Sequence, residues 1–513
     1  MIRKLSVLLI SFCFIFVPTK IFSQDAGHAG IPANSNEQQS EEDFLSPDVD
    51  NKLTESIIAR IDFFGLEEKD KQKKSENRII GGLIATGYVF ASNYIVTVWN
   101  IVVTNIDGDA KWAYPTTELI RSNLSGKWRW EDTDGHMVNQ FGHPFQGSIY
   151  YNAGRVNNFN YYESIFFSAL GSFHWETMGE GQQTAWNDFL HGLLGGPTMG
   201  EMFYRLYIEA YNAGIPAPIA ALFNPAAGLH QLLTKWKPPK QESNMYRFQA
   251  HLAGGLAQTN HEVSKDGNNK EVFSFMGPFG DIGFTIVYGN PYKQESLIPY
   301  DHFELDFLFG LDTGNYIDFR ILSDGYLFSF NPVNTSKNKM STGLTLHFDF
   351  ASMGQFDFFD SSINMASNAL DWTIKYQYLV SDELTFGTKF HTGFIFMGVG
   401  DYYHPDKVSH KDFMIHYGYG INSKLYIELV HKKYGRLDTG VLGYFTWTYP
   451  GTSPVEKGTL SWLFFDAAYS YRLAKNISIG ISDSFSLEKG VFKDFHDTFV
   501  TNNVIKLFIA WCM

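Results

Sequence analysis

Apolar and polar residues alternate with a period of two along the carboxyl-terminal half of the chain, the spacing that gives each class one face of a β-strand. Phe303, Leu305, Phe307, Phe309 and Leu311 share one face, while His302, Glu304, Asp306 and Gly310 take the other. Leu344, Leu346, Phe348 and Phe350 oppose His347 and Asp349. Trp372, Ile374, Tyr376 and Tyr378 oppose Asp371, Lys375 and Gln377. The next run sets Phe386, Phe390, Phe394 and Phe396 against Lys389 and His391, after a short polar break at 380–383 that fits a hairpin. Phe465 to Leu473 and Ile505 to Trp511 repeat the pattern. Such strands build either a soluble sandwich or a transmembrane barrel with its apolar faces toward lipid. Their length, near the roughly 9–11 residues that cross a bilayer, selects the barrel. At roughly 20 residues per strand and connection, residues 245 to 513 hold about 13 strands, so an even 12 or 14 is expected, closed because an open edge in lipid leaves backbone groups unpaired.

The amino-terminal half is different material. Arg3 and Lys4 precede the apolar run Leu5 to Val17, and Ser23 stands before Gln24, the layout of a secretory signal. Residues 24–78 are polar and acid-rich and read as a periplasmic linker. Ile79 to Thr104 carries no charge and is long enough to cross a bilayer. A membrane helix there would tend to stop in the inner membrane, so a helix buried against others or inside the barrel is expected.

Composition narrows the class. With 44% apolar and 17% aromatic residues, 46 glycines and only 18% charged, the chain is no disordered protein. A mean hydropathy of -0.17 excludes a chain made only of membrane helices. A net charge of -14 leaves no broad basic face for nucleic acid. Cys13 falls in the signal, so Cys512 has no internal disulfide partner.

The distinctive polar residues lie between Trp112 and Lys235. His143-Pro144-Phe145-Gln146-Gly147 precedes Tyr150-Tyr151 and Arg155. Gly171-Ser172, Trp175-Glu176, Gly179-Glu180, Asn187-Asp188 and Gly200-Glu201-Met202 with Arg205 follow. This ordered set resembles the bacterial family Domain of Unknown Function 3943, over roughly Asn93 to Lys235. The family's Pro-Ser before Asn-Asp stands here as Thr184-Ala185-Trp186, and its Ala-Arg as Gly154-Arg155. The resemblance implies an envelope or outer-membrane protein with an uncharacterised helical region, and no chemistry. Its motif residues Pro144, Gly147, Tyr151, Arg155, Trp175, Asn187, Gly200, Glu201 and Arg205 are expected to be structural.

His143, Glu176, Glu180 and Asp188 are the catalytic candidates, because histidine and carboxylates can do acid–base work or bind a divalent ion. No His-Glu-x-x-His or Gly-x-Ser-x-Gly motif supports them. Structural roles weigh more. Asn187 or Asp188 would cap a helix, Glu201 would pair with Arg205 four residues on, and Glu176 or Glu180, themselves four apart on one helix face, could pair with Arg155. Asp132, Asp134 and His136 read as a solvated turn, and His347, Lys375, Lys389 and His391 as ordinary lumen polarity.

The sequence thus predicts an α+β, mainly β, protein. Its parts are a signal segment 1–23, a linker 24–78, a helical region 79–235, and an antiparallel outer-membrane barrel of 12–14 strands over 236–513. The helices are expected to plug the lumen or sit at its periplasmic mouth. The expected role is structural or transport-related, with a lipid- or lipopolysaccharide-modifying hydrolase or transferase as the alternative. No cofactor or metal is expected. Expected partners are outer-membrane lipid, the barrel-assembly machinery, and a small solute or lipid as substrate.

Overall fold

The computed structural model describes residues 78–107, 115–130, 136–265, 269–293, 295–312, 316–355, 363–403, 413–449, 458–493 and 497–512. The expected signal segment 1–23 and, apart from Arg78, the linker 24–78 lie outside them, as do Asp132 and Asp134.

Twelve antiparallel strands close into a barrel in which each pairs with its sequence neighbours and the first pairs with the last. They are β1 (Met245–Lys265), β2 (Asn269–Tyr288), β3 (Phe303–Asp312), β4 (Tyr316–Asn334), β5 (Asn338–Gln355), β6 (Ile363–Ser381), β7 (Leu384–Tyr403), β8 (Phe413–His431), β9 (Gly435–Thr448), β10 (Gly458–Arg472), β11 (Ile477–Phe492) and β12 (Thr498–Cys512). Both ends of the barrel sequence, Met245 and Cys512, lie on one rim together with the short turns 335–337, 382–383, 432–434 and 473–476. Short turns mark the periplasmic rim of such barrels. Most strands exceed the 9–11 residues a bilayer needs, so they project beyond it at the loop rim.

The alternation resolves into a polar inside and an apolar outside. Inward residues meet across the lumen: Arg320 reaches Asp466 at 3.4 Å, and the amide of Asn364 donates to Glu488 at 3.1 Å. Lys375 donates to Glu304 and Asp324 at 2.9 and 3.2 Å, Lys389 pairs with Glu304, and Lys424 pairs with Asp349. His391 contacts the Thr373 hydroxyl at 2.8 Å. Toward the loop rim the lumen holds an apolar layer that includes Met353, Met365, Tyr444, Trp462, Phe464 and Phe492. Beneath it, a cavity of about 730 Å³ is lined by groups such as Arg247, Tyr292, Glu428, Arg436, Asp438 and Lys506. The lumen is therefore a polar vestibule near the periplasmic rim, filled above by side chains.

On β9 to β12 and β1 the outward residues Val441, Phe465, Ile479, Leu507 and Leu256 are exposed, as lipid-facing residues must be. On β3 to β8 the outward parity instead includes fully or nearly buried residues: Phe303, Phe319, Ile321, Phe348, Phe350, Ala366 and Tyr417. Seven α-helices among the described residues account for this. They are α1 (Arg78–Asp107), α2 (Thr117–Leu124), α3 (His143–Val156), α4 (Tyr161–His174), α5 (Trp186–Asn212), α6 (Ala217–Phe223) and α7 (Pro225–Thr234). Phe141, Tyr151, Met199, Met202 and Leu206 of the helical layer share one apolar core with those outward wall residues. Phe141 packs edge-on against Phe319 at 5.3 Å, and Tyr161 stacks on Tyr300 at 5.7 Å.

The helices therefore neither plug the lumen nor close its periplasmic mouth. They lie on the outer wall of the barrel, because the lumen of a twelve-stranded barrel is already occupied by its own side chains.

Four of them run up and down that wall. Arg78 of α1 pairs with Glu163 of α4, and Thr97 of α1 donates to the carbonyl of Gly179 at 2.7 Å. Hence α1 and α4 ascend together, while α3 and α5 descend. Arg205 of α5 meets Asp301 at the periplasmic rim at 3.1 Å. Near the start of α5, Asn187 meets Tyr417 on the loop-rim half of β8 at 2.8 Å. At 1.5 Å per residue the 27 residues of α5 span about 40 Å, the thickness of a bilayer with its headgroups.

Glycines permit the close packing. On α5, Gly192, Gly196 and Gly200 recur every fourth residue against Gly147 and Tyr151 of α3, and a Cβ on Gly196 would fall 2.7 Å from the Gly147 carbonyl carbon. Small residues spaced in this way let membrane helices approach without a hydrophobic driving force. The hydroxyl of Ser168 on α4 donates to the carbonyls of Gly147 and Gly192 at 3.1 and 2.9 Å, tying α4 to both.

The expectation for Ile79 to Thr104 is also corrected. Helix α1 is long and apolar enough to cross a membrane over Arg78–Trp99, yet only 17% of its most apolar stretch is buried. Ile79, Leu83 and Ile95 point outward. It is the peripheral helix of the bundle, packed through Ala85, Val89 and Asn93 and exposed on its other face.

Gly196→Leu should separate α3 from α5 by overpacking, a cost of about 1–3 kcal/mol or more. Trypsin should then cleave the helical segment in protein whose barrel still shows a heat-modifiable gel shift. Loss of the shift together with the cleavage would mean that bundle and barrel do not unfold separately.

Candidate functional site in the helical bundle

Two polar clusters lie in the bundle, near its opposite ends. The one nearer the periplasmic rim centres on Glu201 of α5, which is fully buried. Arg155 donates to both its carboxylate oxygens at 2.8 and 3.2 Å. Arg205 donates at 3.0 Å from one turn later, and the Tyr151 hydroxyl at 2.7 Å. Arg205 also donates to Asp301 and to the carbonyl of Pro299 at 2.7 Å. The network thus pins α3 and α5 to the barrel rim. The expected Glu201–Arg205 pair is present, whereas the partner of Arg155 is Glu201, not Glu176 or Glu180.

The other cluster lies about 20 Å away along α5, at the 1.5 Å rise over the thirteen residues from Glu201 to Asp188. His143 opens α3 directly after a π-turn at Val138–Gly142, Glu176 sits in a second π-turn, Trp175–Gly179, that ends α4, and Asp188 lies in the first turn of α5. All three are buried, and one ligand atom from each lies within 4.8 Å of the others. His143 Nε2 is 3.6 Å from Asp188 Oδ1. Each acid is oriented by a neighbour: the amide of Ala185 donates to Glu176 at 3.2 Å, and Asn187 donates to Asp188 at 2.6 Å. Glu180 is buried as well but is not in this set. It follows the π-turn in extended backbone, so Glu176 and Glu180 do not share a helix face.

Neither Asn187 nor Asp188 is a cap, because Ala185 holds the N-cap position of α5 without a side-chain bond. Asn187 instead bridges Asp188 to the hydroxyl of Tyr417 on the barrel wall. Gln140 donates to the same hydroxyl at 3.4 Å, and the amide of Asn368 contacts His191 Nδ1 at 3.4 Å. Asn368 and Tyr417 are polar residues at lipid-facing parity, made tolerable by helix partners. His136 is not in a solvated turn: it is buried and stacks on Phe350 at 5.1 Å.

Other motif residues pack against glycines. Pro144 packs on Gly195, Tyr151 covers Gly200, and the Trp175 ring covers Gly179.

The site lies near the outer aromatic belt. Trp130, between α2 and α3, stacks on Tyr449 at 5.5 Å, and Tyr449 adjoins Tyr419, which in turn adjoins Trp447. Tyr469, Tyr471 and Trp511 mark the periplasmic side. Aromatic belts of this kind sit at the two membrane interfaces.

A closed antiparallel barrel with an apolar outer face, a charged lumen and two aromatic belts is an outer-membrane β-barrel, here carrying a helical bundle on its wall. Residues 127–217, which contain α3, α4, α5 and the helical residues of both clusters, match the family model described as Domain of unknown function (DUF3943). Among curated proteins none matches the chain. Solved structures with some likeness include the toluene transporter TodX of Pseudomonas putida, 8% identical, with a TM-score of 0.21 over 53% of this chain and 90% of that one. A FadL homologue of Pseudomonas aeruginosa is 11% identical, with a TM-score of 0.22 over 52% and 90%. The outer membrane protease OmpT of Escherichia coli is 10% identical, with a TM-score of 0.19 over 53% and 99%.

Glu201→Gln should leave half-buried Arg155 without its counter-charge and Arg205 with Asp301 alone, a loss of about 3–5 kcal/mol. Denaturant unfolding followed by tryptophan fluorescence should register it. Adding Arg155→Met and Arg205→Met to Glu201→Gln should recover part of the loss, and equal stability of wild type and single variant would refute the pinning role.

Proposed function

We propose that this protein is a non-conducting outer-membrane barrel whose working part is the helical domain, residues 79–235, on the lipid-facing wall of the barrel, residues 236–513. The observation that carries this reading is the position of the bundle. It occupies the outer surface of β3 to β8, and the lumen is packed by its own apolar layer and ion pairs. The chain is exported by the segment 1–23, inserted by the barrel-assembly machinery, and engages lipid or a membrane-dissolved apolar solute along the wall rather than through the lumen. Its role is structural or transport-related in that lateral sense.

A specific observation favours a second reading, a hydrolase or transferase acting on outer-leaflet lipid or lipopolysaccharide. His143, Glu176 and Asp188 converge near the outer belt, where headgroups lie. In that reading His143 is the general base and the acids orient it and stabilise its charge. His143→Ala should then abolish lipid modification in cells while the folded band persists.

Two measurements test the first reading. In planar bilayers the purified protein should give no stepwise ion conductance; a steady ohmic channel would sink the closed-lumen reading. Spin labels at Leu83 and Phe166, placed in a Cys512→Ser background, should be accessible to oxygen and shielded from a water-soluble relaxant. Shielding from oxygen and exposure to the aqueous relaxant would remove the bundle from lipid.

A further inference from the structure

We infer that His143, Glu176 and Asp188 form a binding site for a first-row divalent transition metal ion, with Zn²⁺ as the representative. This goes beyond the lipid-facing role and does not depend on it. The three ligand atoms lie within 4.8 Å of one another, and His143 Nε2 and Asp188 Oδ1 are already at 3.6 Å. Donors around tetrahedral zinc, with bonds of about 2.0–2.2 Å, stand roughly 3.3–3.5 Å apart. Small side-chain rotations close that difference.

The surroundings match those of a metal site. The carboxylates are aimed by hydrogen bonds from Ala185 and Asn187. The backbone of the Glu176 turn is held as well: its carbonyl accepts from the Thr184 hydroxyl at 2.9 Å and from Asn123 at 3.4 Å. Orienting bonds of this kind fix ligand direction at metal centres. Three helix ends deliver the ligands, so the site is set by the packing of the bundle rather than by any one loop.

The donor set points the same way. The imidazole nitrogen favours zinc, iron, copper or nickel over calcium and magnesium, which take oxygen ligands. Three protein donors leave a coordination position for water, the arrangement of a catalytic rather than a closed structural centre.

The test uses the full-length protein in detergent, stripped with chelator and reloaded with Zn²⁺ alone, with bound metal measured by elemental analysis. Wild type should retain one Zn²⁺ per chain after desalting, and Co²⁺ in its place should give a visible absorption band. His143→Ala and Asp188→Asn should each weaken Zn²⁺ binding roughly tenfold or more and abolish the Co²⁺ band, with the heat-modifiable shift intact. If His143→Ala does not fold, His143→Gln and the wild-type stoichiometry decide. Wild type without stoichiometric zinc, or variants that hold zinc as wild type does, would overturn the assignment.

Discussion

A bilayer offers no hydrogen-bond partners, and this one constraint accounts for most of what the chain does. Twelve strands close because an open edge would strand its backbone groups in hydrocarbon. Helices are the only other element that meets the constraint, since each satisfies its own backbone. The chain uses both side by side. The contact between them brings polar side chains together as partners inside the protein: Tyr417 with Asn187 and Gln140, Asn368 with His191, and Glu201 with two arginines and a tyrosine.

The same constraint explains why the interface is built from glycines and a few strong polar anchors. Lipid tails are as apolar as leucine, so burying apolar surface between bundle and wall contributes less than it would in water. Close packing must supply the attraction. Gly192, Gly196 and Gly200 on α5, with Gly147 on α3, let backbones touch. The Glu201 network adds an attachment whose loss is costly, because it would leave charges without counter-ions in a dry layer. One helix, α5, carries both devices and the Asp188 end of the outer cluster, so the geometry of the two clusters is coupled through its length.

Much of the barrel was legible in the sequence. Period-two alternation in Phe303 to Leu311 and Leu344 to Phe350 fixed which residues face the lumen, and the strand count falls within the expected range. The outer surface was not legible in the same way. Alternation says that Phe348 and Phe350 point outward but not whether lipid or protein covers them, since an apolar residue suits both. The signal that distinguishes them is a polar residue out of phase: Asn368 and Tyr417 sit at lipid-facing positions, where a bare wall would not tolerate them. The four-residue glycine spacing of α5 was a second readable sign of helix contact. Pairwise distances, such as His143 to Glu176, depend on three helix ends meeting, which no local pattern encodes. The mistaken pairing of Arg155 has the same origin: helix periodicity identified Glu201 with Arg205, but the third partner comes from another helix.

Placement on the wall also changes what a polar cluster in this bundle can mean. Inside a lumen, His143, Glu176 and Asp188 would be three among many charged residues screened by water. On the outer wall near the interfacial belt they converge in a layer where ionisable side chains are rare and mark function. Their neighbours are spent on holding them: Asn187 serves both Asp188 and the barrel, Ala185 gives its amide to Glu176, and Thr184 and Asn123 fix the turn. The Glu201 cluster is balanced by its arginines and needs nothing further. The outer cluster sets two aimed carboxylates beside a coordinating nitrogen, a donor set that suits a divalent cation held near the membrane surface.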